Sequence, residues 1–93
     1  MEENKKFRLS DQQVSTSLSG EAVVLNHKKG IYFSLNEVGT FVWEQLENNQ
    51  IKTFGELKNA ILNEFDIDDA TCKSDLIHIL SELINEKLVQ EEA

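Results

Sequence analysis

Gly30-Ile31-Tyr32-Phe33-Ser34-Leu35-Asn36-Glu37-Val38-Gly39-Thr40-Phe41-Val42-Trp43-Glu44-Gln45-Leu46 is where the chain changes period. Ile31 to Leu35 is short, uncharged and rich in β-branched and aromatic residues, the makeup of a strand. After Asn36, the apolar residues Val38, Phe41, Val42 and Leu46 recur at i, i+3, i+4 and i+8, the buried stripe of a helix. Asn36 suits the N-cap of that helix and Glu37 its positive end.

Working outward, the N-terminal side is strand-like. Val14, Thr16 and Leu18 alternate with Ser15 and Ser17, as in a half-buried strand. Ser19-Gly20-Glu21 supplies a turn, and Ala22 to Asn26 reads as a second, central strand. His27-Lys28-Lys29-Gly30 is a short loop in which Gly30 can take positive φ. Loops this short predict an antiparallel meander with Ile31–Leu35 as its third strand. The C-terminal side is helical. Asn48-Asn49-Gln50 breaks the first helix, and Thr53-Phe54-Gly55-Glu56 has the form of a capping box. Phe54, Leu57, Ile61 and Phe65 give the second helix its stripe. A third starts at Asp68 or Asp69 and is predicted to run to about Val89. The class is α+β: a three-stranded antiparallel N-terminal sheet followed by three helices.

Ninety-three residues support one domain, residues 1–93, with an ordered core of about 7–89. The charged ends, residues 1–6 and 90–93, are predicted to fray. Charge is segregated: residues 1–36 hold five basic and four acidic groups, and residues 37–93 hold four and thirteen, for a net −8. Such a chain repels phosphate backbones, so nucleic acid is not an expected partner. No apolar run approaches the ~20 residues of a membrane span and no signal-peptide h-region is present. With a single cysteine, the expected location is cytoplasmic, without membrane association.

No catalytic constellation emerges. There is no CxxC, HExxH or glycine-rich phosphate loop. His27 reads as a solvated turn residue, His78 as a surface residue and Cys72 as a small buried thiol. Asp66, Asp68 and Asp69 resemble part of a calcium loop but lack its glycine and its closing glutamate, so they read as helix-capping acids. The protein is expected not to be an enzyme and to hold no cofactor or metal.

Two features stand out. The third strand should leave one edge unpaired, yet it carries none of the charges or prolines that defend such edges, unless a helix or the Phe7-Arg8-Leu9 segment covers it. The third helix also has two apolar stripes. Leu76, Ile77, Leu80, Ile84 and Leu88 suit the core, while Cys72, Leu76, Ile79 and Leu83 form a second stripe beside them. An undefended edge beside a spare stripe is the outline of a peptide-binding groove.

The residues Gly30 to Gly39, followed by Phe41-Val42-Trp43-Glu44-Gln45-Leu46, resemble the "GxYxxLNxVGxxIW" stretch of the PqqD-like proteins, the recognition elements for precursor peptides of ribosomally made, modified natural products (RiPPs). The likeness continues through Phe54-Gly55-Glu56-Leu57 and Phe65-Asp66-Ile67-Asp68 to Leu88-Val89. It implies a winged-helix-like domain that binds the leader segment of a precursor peptide, pairing it antiparallel with the third strand and packing it against the third helix. The likeness is greatest to standalone leader-binding proteins of lasso-peptide clusters, which act beside a separate leader peptidase. The alternative is the pyrroloquinoline quinone biosynthesis protein D type, which works with a radical-SAM enzyme. On this reading Ile31, Tyr32, Phe33, Ser34 and Leu35 supply the edge. Cys72, Leu76, Ile79, Leu80 and Leu83 form the apolar wall, and Asp75 and Glu82 form a rim for leader lysines. A DNA-binding winged helix would need a basic third helix, and here Asp69, Asp75, Glu82 and Glu86 outnumber Lys73 and Lys87.

Overall fold

The computed structural model describes residues 2–10, 13–18, 21–26, 30–47 and 50–92. In chain order these form β1 (Lys6–Leu9), β2 (Gln13–Leu18), β3 (Glu21–Asn26), β4 (Ile31–Ser34), α1 (Glu37–Leu46), β5 (Lys52–Thr53), α2 (Phe54–Glu64), α3 (Asp69–Asn85) and β6 (Val89–Glu92). The expected meander is β2-β3-β4, antiparallel throughout, with Val14 opposite Leu25 and Val24 opposite Phe33. Gly30 enters β4 with φ 65°; the rest of that loop, His27 included, lies outside the described residues.

A second antiparallel sheet, β5-β1-β6, was not legible in the periodicity. Lys6 lies opposite Thr53 on one side and Glu92 on the other, and Leu9 opposite Val89. The ends predicted to fray are thus partly in strands: Lys6 opens β1, and residues 90–92 belong to β6. Charge density misleads here because each strand also carries an anchor, Phe7 at 0% exposure and Val89 at 2%. The charged neighbours pair at the surface, Lys5 with Glu91 at 3.1 Å and Arg8 with Glu92 at 3.3 Å. Phe7-Arg8-Leu9 therefore joins this second sheet and is not what covers β4.

The helix starts follow their cap signals. Asn36 Oδ1 accepts from Gly39 N at 2.8 Å, and Thr53 and Glu56 form the reciprocal capping box. Asp68 accepts from both the amide and the hydroxyl of Thr71. The N-terminal segment completes the cap of α2: Phe54 N donates to the Lys5 carbonyl at 2.8 Å and Gly55 N to the Glu3 carbonyl at 3.0 Å. Those are two of the amides a helix start leaves without partners.

One boundary differs. α3 ends at Asn85, short of the expected Val89. Lys87 adopts φ 62°, its amide donates to the Ile84 carbonyl, and the Leu88 amide donates to the Leu83 carbonyl, each at 2.9 Å. This is a left-handed helix stop, a position that usually holds glycine. Lysine there hides the stop from a reading of the sequence.

The core lies where the sheets and helices meet. α1 packs on β3 and β1, α2 on α1 and α3, and α3 on β6. Trp43, Phe7, Phe54, Leu46, Leu57 and Ile61 are among its fully enclosed side chains.

Candidate functional site: an open strand edge beside a groove

Among the described residues β4 pairs with β3 alone, so its other edge carries unpaired main-chain groups. No charge defends it. Tyr32 is 68% exposed and Ser34 is also exposed. The turn from β4 into α1 is held by the Thr40 hydroxyl, which donates to the Leu35 carbonyl at 3.2 Å, and by the Thr40 amide, which donates to the Asn36 carbonyl at 2.8 Å.

The end of this strand borders a groove of about 200 Å³. One wall is Ser34 and Leu35 with Asn36 and Gly39 from the start of α1. The other is His78, Ile79, Glu82 and Leu83 from α3, its C-cap Glu86, and Leu88 from the turn beyond. The helical residues recur at i, i+1, i+4, i+5 and i+8, a single face of α3.

The structure therefore redraws the α3 stripes. Cys72, Leu76 and Leu80 are 0% exposed and belong wholly to the core, so none of them has surface to offer a ligand. Leu83, at 4%, serves both core and groove. Ile79 is half-buried and lines the groove, whereas Ile77 and Ile84, expected in the core stripe, are only partly buried. Leu88 is buried as expected, but it lies beyond the helix and lines the groove. Glu82 stands in the groove wall. Asp75 is exposed one turn earlier and lies outside the groove lining.

Five groove residues were not among those read from the sequence as peptide-binding: Asn36, Gly39, His78, Glu86 and Leu88. His78 and Glu86 were considered only for catalysis and for DNA contacts, yet both follow from Glu82 by counting one turn each way. His78 Nε2 lies 3.4 Å from Glu82 Oε2, both largely exposed. Among the described residues, the groove lining thus carries two carboxylates and an imidazole, and no lysine or arginine.

Cys72 is enclosed as expected. Its thiol donates to the Lys58 carbonyl at 3.6 Å, and burial, followed by the charge of Asp69, pushes its pKa up. A protonated, enclosed thiol is a poor nucleophile. Lys58 bridges Glu3 at 2.7 Å and Asp69 at 3.5 Å, so the one network ties the N-terminal segment, α2 and α3 together. Among the described residues no group of three His, Cys, Asp or Glu side chains is placed to hold a metal, and no helix is long and apolar enough to cross a membrane.

Residues 21–89 match the family model of coenzyme PQQ synthesis protein D (PqqD). The chain belongs to the PqqD family. Among solved structures, this PqqD-family chain is similar to TbiB1 in complex with the TbiA(beta) leader peptide, at 34% identity and a TM-score of 0.80, covering 92% of this chain and 98% of that one. It is also similar to lasso peptide synthetase B1 complexed with the leader peptide, at 15% identity and a TM-score of 0.75, covering 90% and 96%; that second likeness is one of fold alone. No curated protein matches the chain. The α+β class read from the periodicity, and the winged-helix-like domain that the PqqD resemblance implied, agree with this fold, to which the second sheet is added.

Proposed function

We propose that this chain binds the leader segment of a ribosomally made precursor peptide and presents it to a separate maturation enzyme, such as a lasso-peptide leader peptidase. One observation carries the reading: an uncharged strand edge left open beside a groove, in a chain 34% identical to a protein solved with a leader peptide. The leader adds as a strand along Ile31–Leu35, and one of its side chains enters the groove against Ile79 and Leu83. Glu82, with Asp75 one turn beyond the groove lining, favours a basic leader residue at the rim.

Magnitudes indicate why both parts are needed. A four-residue edge offers about four outward main-chain bonds, each a net ~0.5–1.5 kcal/mol. That total of roughly 2–6 kcal/mol falls short of most of the ~4–15 kcal/mol that association costs. A well-buried apolar side chain adds ~1.5–3 kcal/mol and supplies selectivity. The role is recognition, without catalysis, cofactor or metal, in the cytoplasm. The acidic exposed face of α3 argues against nucleic acid. Partnership with a radical-SAM enzyme, in the manner of the family's PQQ members, is the alternative that the family match leaves in play.

The test is a display selection from randomised peptides of about 15 residues, with the TbiA(beta) leader titrated alongside. Enriched peptides should bind with 1:1 stoichiometry and lose affinity at least tenfold when the amides facing β4 are N-methylated. Enrichment of no peptide, together with no binding of the TbiA(beta) leader, would overturn the proposal. Pull-down of a peptidase or of a radical-SAM enzyme by the loaded complex distinguishes the two partner classes.

A further inference from the structure

One wall of the groove contains a glycine that its helix does not explain. Gly39 is the third residue of α1, and its amide donates to the cap side chain of Asn36 at 2.8 Å. α2 and α3 begin with the equivalent bond, at 3.1 and 3.2 Å, and carry Glu56 and Thr71 at that position. Capping therefore does not demand glycine. The backbone does not demand it either, because Gly30 is the glycine with positive φ among the described residues. Glycine is also among the poorest helix formers.

Gly39 is buried, and a small side chain there fits once Asn36 gives way by a few tenths of an ångström. A Cβ there would lie 3.2 Å from Asn36 Oδ1, 3.4 Å from Leu35 Cβ and 3.7 Å from Leu35 Cδ2. Lengthening the cap bond to the 3.1–3.2 Å of the other two helices would relieve the tightest of these. Leu35, Asn36 and Gly39 share one wall of the groove. A longer side chain at position 39 would take its volume from the space that faces Ile79 and Glu82.

We propose that Gly39 is a specificity-determining residue, whose bare backbone sets the size of the leader side chain that the groove accepts. This rests on the leader-binding reading above and adds a size rule to it. An apolar cavity of ~150 Å³ holds a benzene molecule. About 200 Å³ therefore suits one aromatic or large aliphatic side chain, set against Ile79 and Leu83 and touching the chain itself at Gly39. Smaller residues would leave the groove partly empty.

The experiment repeats the randomised-peptide selection on the wild-type chain, Gly39→Ala and Gly39→Leu, with melting temperatures recorded for each. Wild-type binders should share one position holding a large apolar residue. On Gly39→Leu the strand-pairing residues should persist while that position shifts to Gly, Ala or Ser. Against wild-type-selected peptides, Gly39→Ala should keep or raise the melting temperature and weaken binding at least tenfold. It should bind a small-residue version of the same peptide at least as well as the wild type does. That crossover is a signature a purely structural role would not give, and Gly39→Ala carries the test alone should Gly39→Leu fail to fold. An unchanged size preference, or an equal loss for large- and small-residue peptides, overturns the size rule and leaves leader binding standing. Failure of the wild-type chain to enrich any peptide overturns both.

Discussion

Ile79 and Leu80 are neighbours in sequence but do different work, and substituting each tests where the groove wall ends and the core begins. Leu80 is 0% exposed, whereas Ile79 is half-buried and lines the groove. Leu80→Ala should cost ~2–5 kcal/mol, the removed methyls plus the cavity they leave. A chain of this length is stabilised by roughly 5–14 kcal/mol, so the variant should stay folded at low temperature. Its melting point should fall by roughly 8–40 °C, at ~4–8 °C per kcal/mol. Ile79→Asp forfeits only the part of the side chain already covered, about 1 kcal/mol. In the complex, however, a leader residue must bury that new carboxylate, at ~1–3 kcal/mol, and the lost apolar contact adds about 1 kcal/mol more. Affinity should fall roughly thirtyfold or further. Both quantities are measurable on the same samples, by thermal denaturation and by fluorescence polarisation with a selected peptide well below either melting point. Ile79→Asp that folds and binds within threefold of wild type would refute the groove assignment. Leu80→Ala that melts with the wild type would refute the core assignment.

Lys87 sits at φ 62°, where a side chain costs ~1–2 kcal/mol; Lys87→Gly should raise denaturation stability by about 1 kcal/mol, and a loss would show that the lysine makes a contact outweighing its strain. The Cys72 thiol is enclosed and its pKa raised, so a thiol reagent at neutral pH should label it only at the rate of unfolding; rapid labelling of native protein would contradict its placement. Glu56 and Asp68 are held below their ordinary 4.5 and 3.8, Glu56 first by the Thr53 amide and Asp68 first by the Thr71 hydroxyl. Their folded-state pKa values are depressed, so their contribution is present above those ordinary values and lost as pH falls through the lower folded ones. A Glu56→Gln, Asp68→Asn double variant keeps both caps without titrating, so it should lose less stability than wild type on acidification below about pH 4.5; parallel acid limbs would count against the caps as the cause.

The legible features were local ones. Asn36, Thr53 with Glu56, and Asp68 announced three helix starts because a cap is a contact between residues three apart. The open edge was legible because an undefended strand is recognised by what it lacks, and Ile31–Leu35 lacks charge and proline. The second sheet was hidden because it joins residues 6–9 to residues 89–92, strands too short and too charged to show a period, held by Phe7 and Val89 from opposite ends of the chain. The groove was half legible: helical spacing gives the angle between side chains, but not which direction faces a neighbour. Cys72, Leu76 and Leu80 were therefore drawn in the wall when they face the core, and His78 and Glu86 were missed. The glycines invert the usual signal. α3 stops at a left-handed residue that is a lysine, and the first turn of α1 holds a glycine whose φ, cap and helix propensity do not ask for one. The first departure hid a boundary from the sequence. The second is a glycine in the groove wall, and on the size rule proposed for it the reason lies in what the groove must admit.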